Sequence, residues 1–139
     1  MKTYVLDASV ALAWYLPETF SQEARRWRDH CLEGEARFIA PGLHYWEVAN
    51  VLRTYTRRGE LTEVLAHEIY GVHRKAPISI VEPSADKVLK IAFQYGASVY
   101  DAVYITVALE NQATLLTGER TTSPWVVKLG KVARPLRES

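Results

Sequence analysis

The apolar residues of this chain occur in short continuous runs, separated by longer segments in which apolar and polar residues alternate with helical spacing. The short runs lie at 4–6, 37–40, 78–81 and 114–117. Runs of this length, bounded by polar or turn-forming residues, predict buried strands. A further short strand is expected at 131–134.

Six segments between the strands show the apolar spacing or the boundary residues of helices. They lie at 8–16, 21–32, 45–58, 62–75, 84–95 and 98–111. Pro17 is expected to end the first helix, and Gly96 to end the fifth. A last helical stretch contains Pro124, which a helix interior rarely tolerates, so the pattern alone leaves the layout near the carboxyl terminus open.

Short strands that alternate with helices predict a parallel sheet, because parallel neighbours need a long crossover connection. We therefore expect a three-layer α/β/α fold, with a short, mostly parallel central sheet flanked by helices. The 139 residues, 48% of them hydrophobic, suffice for one core, and no repeat or linker-like tract divides them. A single domain is expected over 1–139.

The charge of the chain is nearly balanced, with 17 basic and 16 acidic residues and a net charge of +1. The composition therefore does not indicate a nucleic-acid binder in the way that a strongly basic domain would, so any RNA contact must come from local patches. Two arginine clusters are available, and they comprise Arg25, Arg26, Arg28, Arg53, Arg57 and Arg58. Such runs are more often solvated helix faces.

Cys31 is the only cysteine, which excludes an internal disulfide and a cysteine-based zinc site and suits a reducing cytoplasm. We expect its thiol to be buried. The apolar stretch at 5–16 is interrupted by Asp7, ends at Pro17 and is too short to cross a bilayer. The sequence thus predicts a soluble cytoplasmic protein without membrane contact.

Two acidic residues follow predicted strands, namely Asp7 after 4–6 and Glu119 after 114–117. In open parallel sheets, ligands bind beyond the carboxyl ends of the strands, so both are candidates for a site. Other interpretations stay open. Asp7 or Ser9 can cap the helix that follows, and Glu119 can belong to an ordinary surface turn.

Two further acids lie in predicted helices. Glu47 is displaced by about one residue from the apolar stripe of its helix, so it is either a solvated glutamate or a site residue, and Asn50 is placed to orient it or to meet substrate. Asp101 stands three residues after Ser98, as in a capping box, yet its neighbours are apolar. A helix cap and a metal site are equally compatible with that position.

Taken together, the four acids form a set of carboxylates without histidine or cysteine partners. Such a set predicts a site for hard, oxygen-preferring cations such as Mg²⁺ or Mn²⁺. Without a cation, mutual repulsion would raise the pKa values of some of these carboxyl groups.

The motifs around these acids are VLDAS at 5–9, AP at 40–41, YWEVANVL at 45–52, SVYDA at 98–102 and LLTGE at 115–119. In this order and spacing, the chain resembles the PIN-domain ribonucleases, most closely the VapC-like toxins of type II toxin–antitoxin systems. The resemblance covers essentially the whole chain and implies a PIN-like α/β/α fold.

The resemblance implies that Asp7, Glu47 and Asp101 occupy three of the metal-site positions of the family. Ser9 would hold a metal-bound water or a substrate oxygen. Glu119 occupies the fourth position, where the family more usually has Asp. Its extra methylene group displaces the carboxylate and adds a torsion, which matters because metal–ligand distances are narrowly defined.

The implied activity is a Mg²⁺- or Mn²⁺-dependent endonuclease that hydrolyses RNA phosphodiester bonds with a metal-activated water. Asp7 and Asp101 would be the main ligands, Glu47 a ligand or base, and Glu119 a ligand of a second ion. Candidate phosphate contacts are Thr117, Arg120 and Thr121.

The resemblance also implies a toxin that is held inactive by a cognate antitoxin and that forms a homodimer. Two alternatives remain: a PIN nuclease of RNA processing, and a catalytically weak RNA- or protein-binding module, which the replacement of Asp by Glu119 would favour.

Overall fold

A computed structural model describes residues 1–137, so the last two residues of the predicted 1–139 domain lie outside it. The strands are β1 (Lys2–Leu6), β2 (Ala36–Ala40), β3 (Ile78–Ile80), β4 (Thr114–Thr117) and β5 (Ala133–Pro135). The helices are α1 (Ala8–Leu12), α2 (Ser21–Leu32), α3 (Leu43–Arg57), α4 (Glu63–Arg74), α5 (Ala85–Tyr95), α6 (Val99–Glu110) and α7 (Pro124–Leu129).

The five strands form one parallel sheet in the order β3-β2-β1-β4-β5, with β1 at the centre. Val5 of β1 is in register with Ile39 of β2 on one side and with Leu115 of β4 on the other. Because every pair is parallel, the carboxyl ends of all five strands meet at the same edge. The predicted parallel sheet is confirmed.

Alternating residues of β1 face opposite layers of helices, as the two-residue period of a strand requires. Tyr4 and Leu6 pack against α1 and α2 on one face. Val5 packs against α6 and α7 on the other. The arrangement is the predicted three-layer α/β/α fold.

The helical hairpin of α3 and α4 packs against α1 through Leu12, Val48 and Leu52. This contact brings the amino-terminal half of α3 to the carboxyl end of β1. Within residues 1–137, none of the helices combines the length and the apolar composition that crossing a membrane requires.

A chain of buried hydrogen bonds fixes the same corner of the fold. His44 Nδ1 donates to the Leu6 carbonyl at 3.0 Å, which leaves its Nε2 to accept from His73 Nε2 at 2.8 Å. His73 Nδ1 then accepts from the Tyr15 hydroxyl at 3.0 Å. Burial lowers the pKa of His44 to about 3 and that of His73 to about 4, so both rings are neutral, as this proton arrangement requires.

The structure corrects three expectations. The first helix ends at Leu12 rather than at residue 16, because the N–H groups of Trp14 and Tyr15 bond to carbonyls three residues back and tighten the chain into turns. Pro124 is not inside the last helix but begins it, where its missing N–H costs nothing. Cys31 is partly exposed rather than buried, because it lies near the surface end of α2.

The last strand begins at Ala133, two residues later than expected, because a 3-10 turn occupies Gly130–Val132. The other predicted strands and helices lie within one to three residues of their observed bounds. Gly96 ends α5 with a φ of 63°, a left-handed conformation that favours glycine.

Candidate active site

A pocket of about 360 Å³ opens beyond the carboxyl ends of β1 and β4. All four candidate acids line it, and they come from four different elements of the fold. Asp7 directly follows β1, Glu47 lies on α3, Asp101 lies in the first turn of α6, and Glu119 follows β4. The pocket exists because β1 and β4 are neighbours in the sheet and their carboxyl ends open into the same crevice.

The Asp7 carboxylate faces this pocket and makes no cap bond to α1, so the interpretation of Asp7 as a helix cap is wrong. Instead, its Oδ2 accepts a hydrogen bond from the Thr117 hydroxyl at 2.7 Å. The pKa of Asp7 is raised to about 6: burial is the main cause, the Thr117 bond opposes it, and the charges of Glu47 and Asp101 add to the rise. A cation in the pocket would relieve this cost of ionising Asp7.

Glu47 is partly buried, because the buried Tyr104 hydroxyl reaches across from α6 and donates to Glu47 Oε1 at 2.7 Å. Burial raises the pKa of Glu47, the Tyr104 bond lowers it, and the charge of Asp101 raises it. The expectation of a freely solvated glutamate is therefore wrong. One carboxylate oxygen is committed to Tyr104, and the other is left for the pocket.

Asp101 takes part in the start of α6 through its backbone and in the pocket through its side chain. Its backbone N–H donates to Ser98 Oγ at 3.0 Å, so Ser98 caps α6. Its side chain lines the pocket, where burial raises its pKa, the Ser98 hydroxyl lowers it and the charge of Glu119 raises it.

Two local hydrogen bonds hold Glu119 after β4. Glu119 Oε1 accepts a hydrogen bond from the N–H of Arg120 at 3.0 Å. The N–H of Glu119 donates to Thr117 Oγ1 at 3.1 Å, so the hydroxyl of Thr117 links the acids on β1 and β4. One oxygen of Glu119 is thus engaged locally, while its charge still acts on Asp101.

Ser9 and Gly118 bring the two loops of the pocket into close contact. The N–H of Gly118 donates to Ser9 Oγ at 2.9 Å. A Cβ atom at position 118 would lie 2.5 Å from Phe20 Cζ and 3.1 Å from Ser9 Oγ, so only glycine fits without a shift. This close approach explains the glycine between Thr117 and Glu119.

The residues expected to contact substrate divide into two groups. Ser9 and Thr117 line the pocket, although Thr117 is buried and bonded to Asp7. Asn50, Arg120 and Thr121 are exposed and do not line it. Their contact with substrate stays a prediction.

Sequence reasoning missed two residues of the site. Tyr104 lies one helical turn after Asp101, a spacing that places both on the same side of α6, and that signal was available. Arg137 also lines the pocket, and its Nε donates to the Gly118 carbonyl at 3.0 Å. Nothing in the local pattern indicated that this carboxyl-terminal arginine would return to β4.

All four acids of the pocket offer only carboxylate oxygens as ligands. Such a donor set fits a hard divalent cation. Within residues 1–137, only one group of three His, Cys, Asp or Glu side chains has its ligand atoms within 4.8 Å of one another. This group is exposed at the end of α2 and comprises His30, Glu33 and Glu35. The pocket acids do not form such a three-ligand group. Mg²⁺ keeps several of its waters and needs only one or two carboxylates, so the pocket is compatible with it.

The sequence matches a family model and a known ribonuclease. The PIN domain family model matches residues 4–121. Ribonuclease VapC3 from Pyrobaculum aerophilum is 31% identical over 120 residues, which are 84% of this chain and 88% of that protein.

Two solved structures share the fold. A crystal structure of a protein from Pyrobaculum aerophilum has a TM-score of 0.72 and 23% identity, and covers 97% of this chain and 84% of its own. A toxin–antitoxin complex from Klebsiella pneumoniae has a TM-score of 0.61 and 13% identity, with coverage of 98% and 99%.

Proposed function

Because this chain belongs to the PIN domain family, we propose that it is a Mg²⁺- or Mn²⁺-dependent ribonuclease that cuts RNA internally and serves as the toxin of a toxin–antitoxin pair. The observation that carries the proposal is the convergence of Asp7, Glu47, Asp101 and Glu119 on one pocket. These acids lie far apart in sequence, and capping accounts for none of their carboxylates.

Asp7 and Asp101 are the main cation ligands in this proposal, and Glu119 contributes the oxygen that Arg120 does not engage. A bound divalent cation supplies activation of water and stabilisation of the charge that develops on the phosphate. The raised pKa of Asp7, about 6, means that the ligand is ionised at neutral pH but loses its charge on mild acidification.

The second task of the pocket is to orient the attacking water, and Glu47 is its base or positioning group. The Tyr104 hydroxyl holds one of its oxygens at 2.7 Å, so the other keeps a defined direction towards the pocket. The Thr117 hydroxyl orients the Asp7 carboxylate in the same way. Catalytic carboxylates fixed by such neighbours need little reorganisation when the substrate reacts.

The relatives supply the biological part of the proposal. A curated relative is named a ribonuclease of the VapC type, and a structure of the same fold is a toxin–antitoxin complex. We extend to this chain an RNA substrate in the cytoplasm, a cognate antitoxin as partner and a homodimeric assembly. A PIN nuclease of RNA processing would use the same chemistry.

One observation favours a second candidate, a module that binds RNA or protein with little turnover. Glu119 replaces the usual Asp and has one oxygen bonded to the N–H of Arg120. The two candidates differ in one property: the Glu119→Asp substitution should increase cleavage substantially if Glu119 weakens the metal site, and should change it little if Glu119 supports full activity.

The test is cleavage of a structured RNA by purified protein with Mg²⁺, Mn²⁺ or EDTA. Wild type should cut with either metal and lose activity in EDTA. Asp7→Asn should lose activity, whereas Glu35→Gln, a control in the exposed group of α2, should retain it. Cleavage by Asp7→Asn at the wild-type rate would show contamination, and no cleavage by wild type would favour the binding module.

A further inference from the structure

A polar groove of about 630 Å³ lies beside the acidic pocket, between the start of α2 and strand β5 with the residue that follows it. Phe20 separates the two: it lines the groove, and its ring tip packs against Gly118 of the pocket. The groove is therefore where a chain seated on the pocket would continue. Its lining residues include Arg26, Arg134 and Leu136.

Two arginines connect the pocket with the groove, and each is stacked on an aromatic ring. The Arg137 guanidinium lies 5.5 Å from the centroid of Phe20 at the pocket. Arg134 lines the groove, and its guanidinium lies 5.0 Å from the centroid of Trp27. Trp27 lies on α2, and Phe20 directly precedes the first residue of that helix. The rings restrict the two guanidinium groups, so less entropy is lost on binding an anion.

An ion pair within the groove cancels two of its charges and leaves the charge of Arg134 uncompensated. Arg26 is paired with Glu23 at 2.8 Å, so these two charges largely cancel. Within residues 1–137, neither Arg134 nor Arg137 has a carboxylate within 4.0 Å. Arg137 Nε is bonded to a carbonyl, but a carbonyl leaves its charge uncompensated.

We propose that Arg137 and Arg134 bind successive backbone phosphates of a single-stranded RNA segment that runs from the acidic pocket into this groove. The proposal rests on the proposed function for the identity of the ligand. An RNA bond held over the carboxylates must have a strand leaving on each side, and Arg137 stands at the pocket while Arg134 stands in the groove. Guanidinium groups suit phosphate, and unpaired RNA is flexible enough to follow a groove.

Binding of fluorescein-labelled oligouridylate, measured by fluorescence anisotropy without divalent metal, tests the groove. All proteins carry Asp7→Asn so that cleavage does not interfere. Arg134→Gln and Arg137→Gln should each lower affinity about fivefold near 0.1 M salt and reduce the slope of log K against log salt by ~0.7, the contribution of one phosphate contact in a single strand. The double variant should show the sum.

Arg25→Gln is the matched control, because Arg25 lies on α2 and is exposed but does not line the groove. It should leave the slope unchanged. Arg134→Lys and Arg137→Lys keep the charge and should keep most of the slope, which separates loss of phosphate contact from loss of packing if a glutamine variant folds poorly.

The proposal is overturned if the groove variants bind like Arg25→Gln. It is also overturned if an oligoglutamate of equal charge binds as tightly with the same dependence on both arginines, because the groove would then be a site for acidic peptides. Failure of the ribonuclease proposal is distinguishable, because these measurements require no cleavage. If wild type cuts RNA and the groove variants bind RNA with unchanged affinity, only the groove proposal is contradicted and the ribonuclease proposal stands.

Discussion

The Tyr104 hydroxyl donates a 2.7 Å hydrogen bond to Glu47 Oε1 and so joins α6 to α3 across the acidic pocket. Tyr104 is only 3% exposed, and this burial, together with the charges of Asp7 and Glu47, raises its pKa, so its proton stays on the phenol oxygen. The bond both orients Glu47 and favours its ionised form. Tyr104 is thus a positioning residue for Glu47.

The Tyr104→Phe substitution should reduce kcat about tenfold while KM changes little, because a hydrogen bond to a charged group contributes roughly 1.5 to 3 kcal/mol. Since the bond lowers the pKa of Glu47, its loss should also move the acid limb of the pH–rate profile to higher pH. Steady-state cleavage rates between about pH 5 and pH 8 measure both effects.

Tyr70→Phe is the matched control for this prediction. It removes a hydroxyl that donates to the Tyr45 carbonyl at 3.3 Å, away from the acidic pocket. Its pH profile should match that of wild type. A Tyr104→Phe protein with the wild-type profile would show that Tyr104 has only a packing role.

Asp7 should destabilise the metal-free protein at neutral pH. Its folded-state pKa of about 6 exceeds the ordinary value of 3.8, so the folded state binds the extra proton between these values and stability falls as pH rises through this window. Asp7→Asn, which can still accept from Thr117, should therefore raise the unfolding free energy at pH 7.5 by about 1 to 3 kcal/mol.

Urea unfolding in EDTA at pH 7.5 and near pH 4 checks this prediction. The gain should disappear near pH 4, where Asp7 is protonated in the folded state. Equal stability of the two proteins at both pH values would mean that ionising Asp7 costs no folding free energy. A bound cation would then not be needed to offset that cost.

The buried pair of His44 and His73 should make the fold sensitive to acid. Both folded-state pKa values, about 3 and about 4, lie below the ordinary histidine value of 6.5. Their contribution is complete above about pH 6.5 and is lost as pH falls, because the unfolded chain binds protons that the folded one refuses. His73→Gln should reduce the acid slope by about 1.4 kcal/mol per pH unit between about pH 6 and pH 4.

Unfolding free energies of wild type and variant across that range give the difference in slope, in which the contributions of the carboxyl groups cancel. His67→Gln is the control, because the side chain of His67 is 78% exposed on α4. Parallel curves for His73→Gln and wild type would contradict the neutral, buried state of the pair.

Gly118 and Gly71 offer a paired test of the close contact at the pocket. An alanine at 118 would have to displace Phe20 or Ser9, so Gly118→Ala should lose about 1 to 3 kcal/mol of stability and most of the activity. Gly71 lies inside α4 with open space around it, so Gly71→Ala should gain about 0.5 to 1 kcal/mol. Thermal unfolding and cleavage assays distinguish the two; a tolerated alanine at 118 would show that the loops can move apart.

Local pattern was sufficient for the sheet and most helices, because buried strands such as Thr114–Thr117 are apolar on both sides and caps such as Ser98 and Gly96 are encoded locally. The four acids could also be named from strand ends and family motifs. The Tyr104–Glu47 bond could not, because it depends on how α6 and α3 are placed relative to each other.

The early end of α1 and the return of Arg137 to the pocket escaped prediction for a similar reason. Trp14 leaves the helical path to bury its ring and donate to the Ala24 carbonyl at 2.9 Å, a tertiary contact that overrides local helix spacing. Arg137 reaches the pocket because β5 pairs with β4, and the N–H of Leu136 bonds to the Thr117 carbonyl.

The central claim is that the carboxylates of Asp7 and Asp101 share a divalent cation, and Mn²⁺ binding by isothermal titration calorimetry tests it most directly. Wild type and the surface control Glu35→Gln should bind Mn²⁺ with equal affinity, whereas Asp7→Asn and Asp101→Asn should each bind at least about tenfold more weakly. If both aspartate variants bind like wild type and Glu35→Gln does not, the cation belongs to the exposed group on α2 and the account is contradicted.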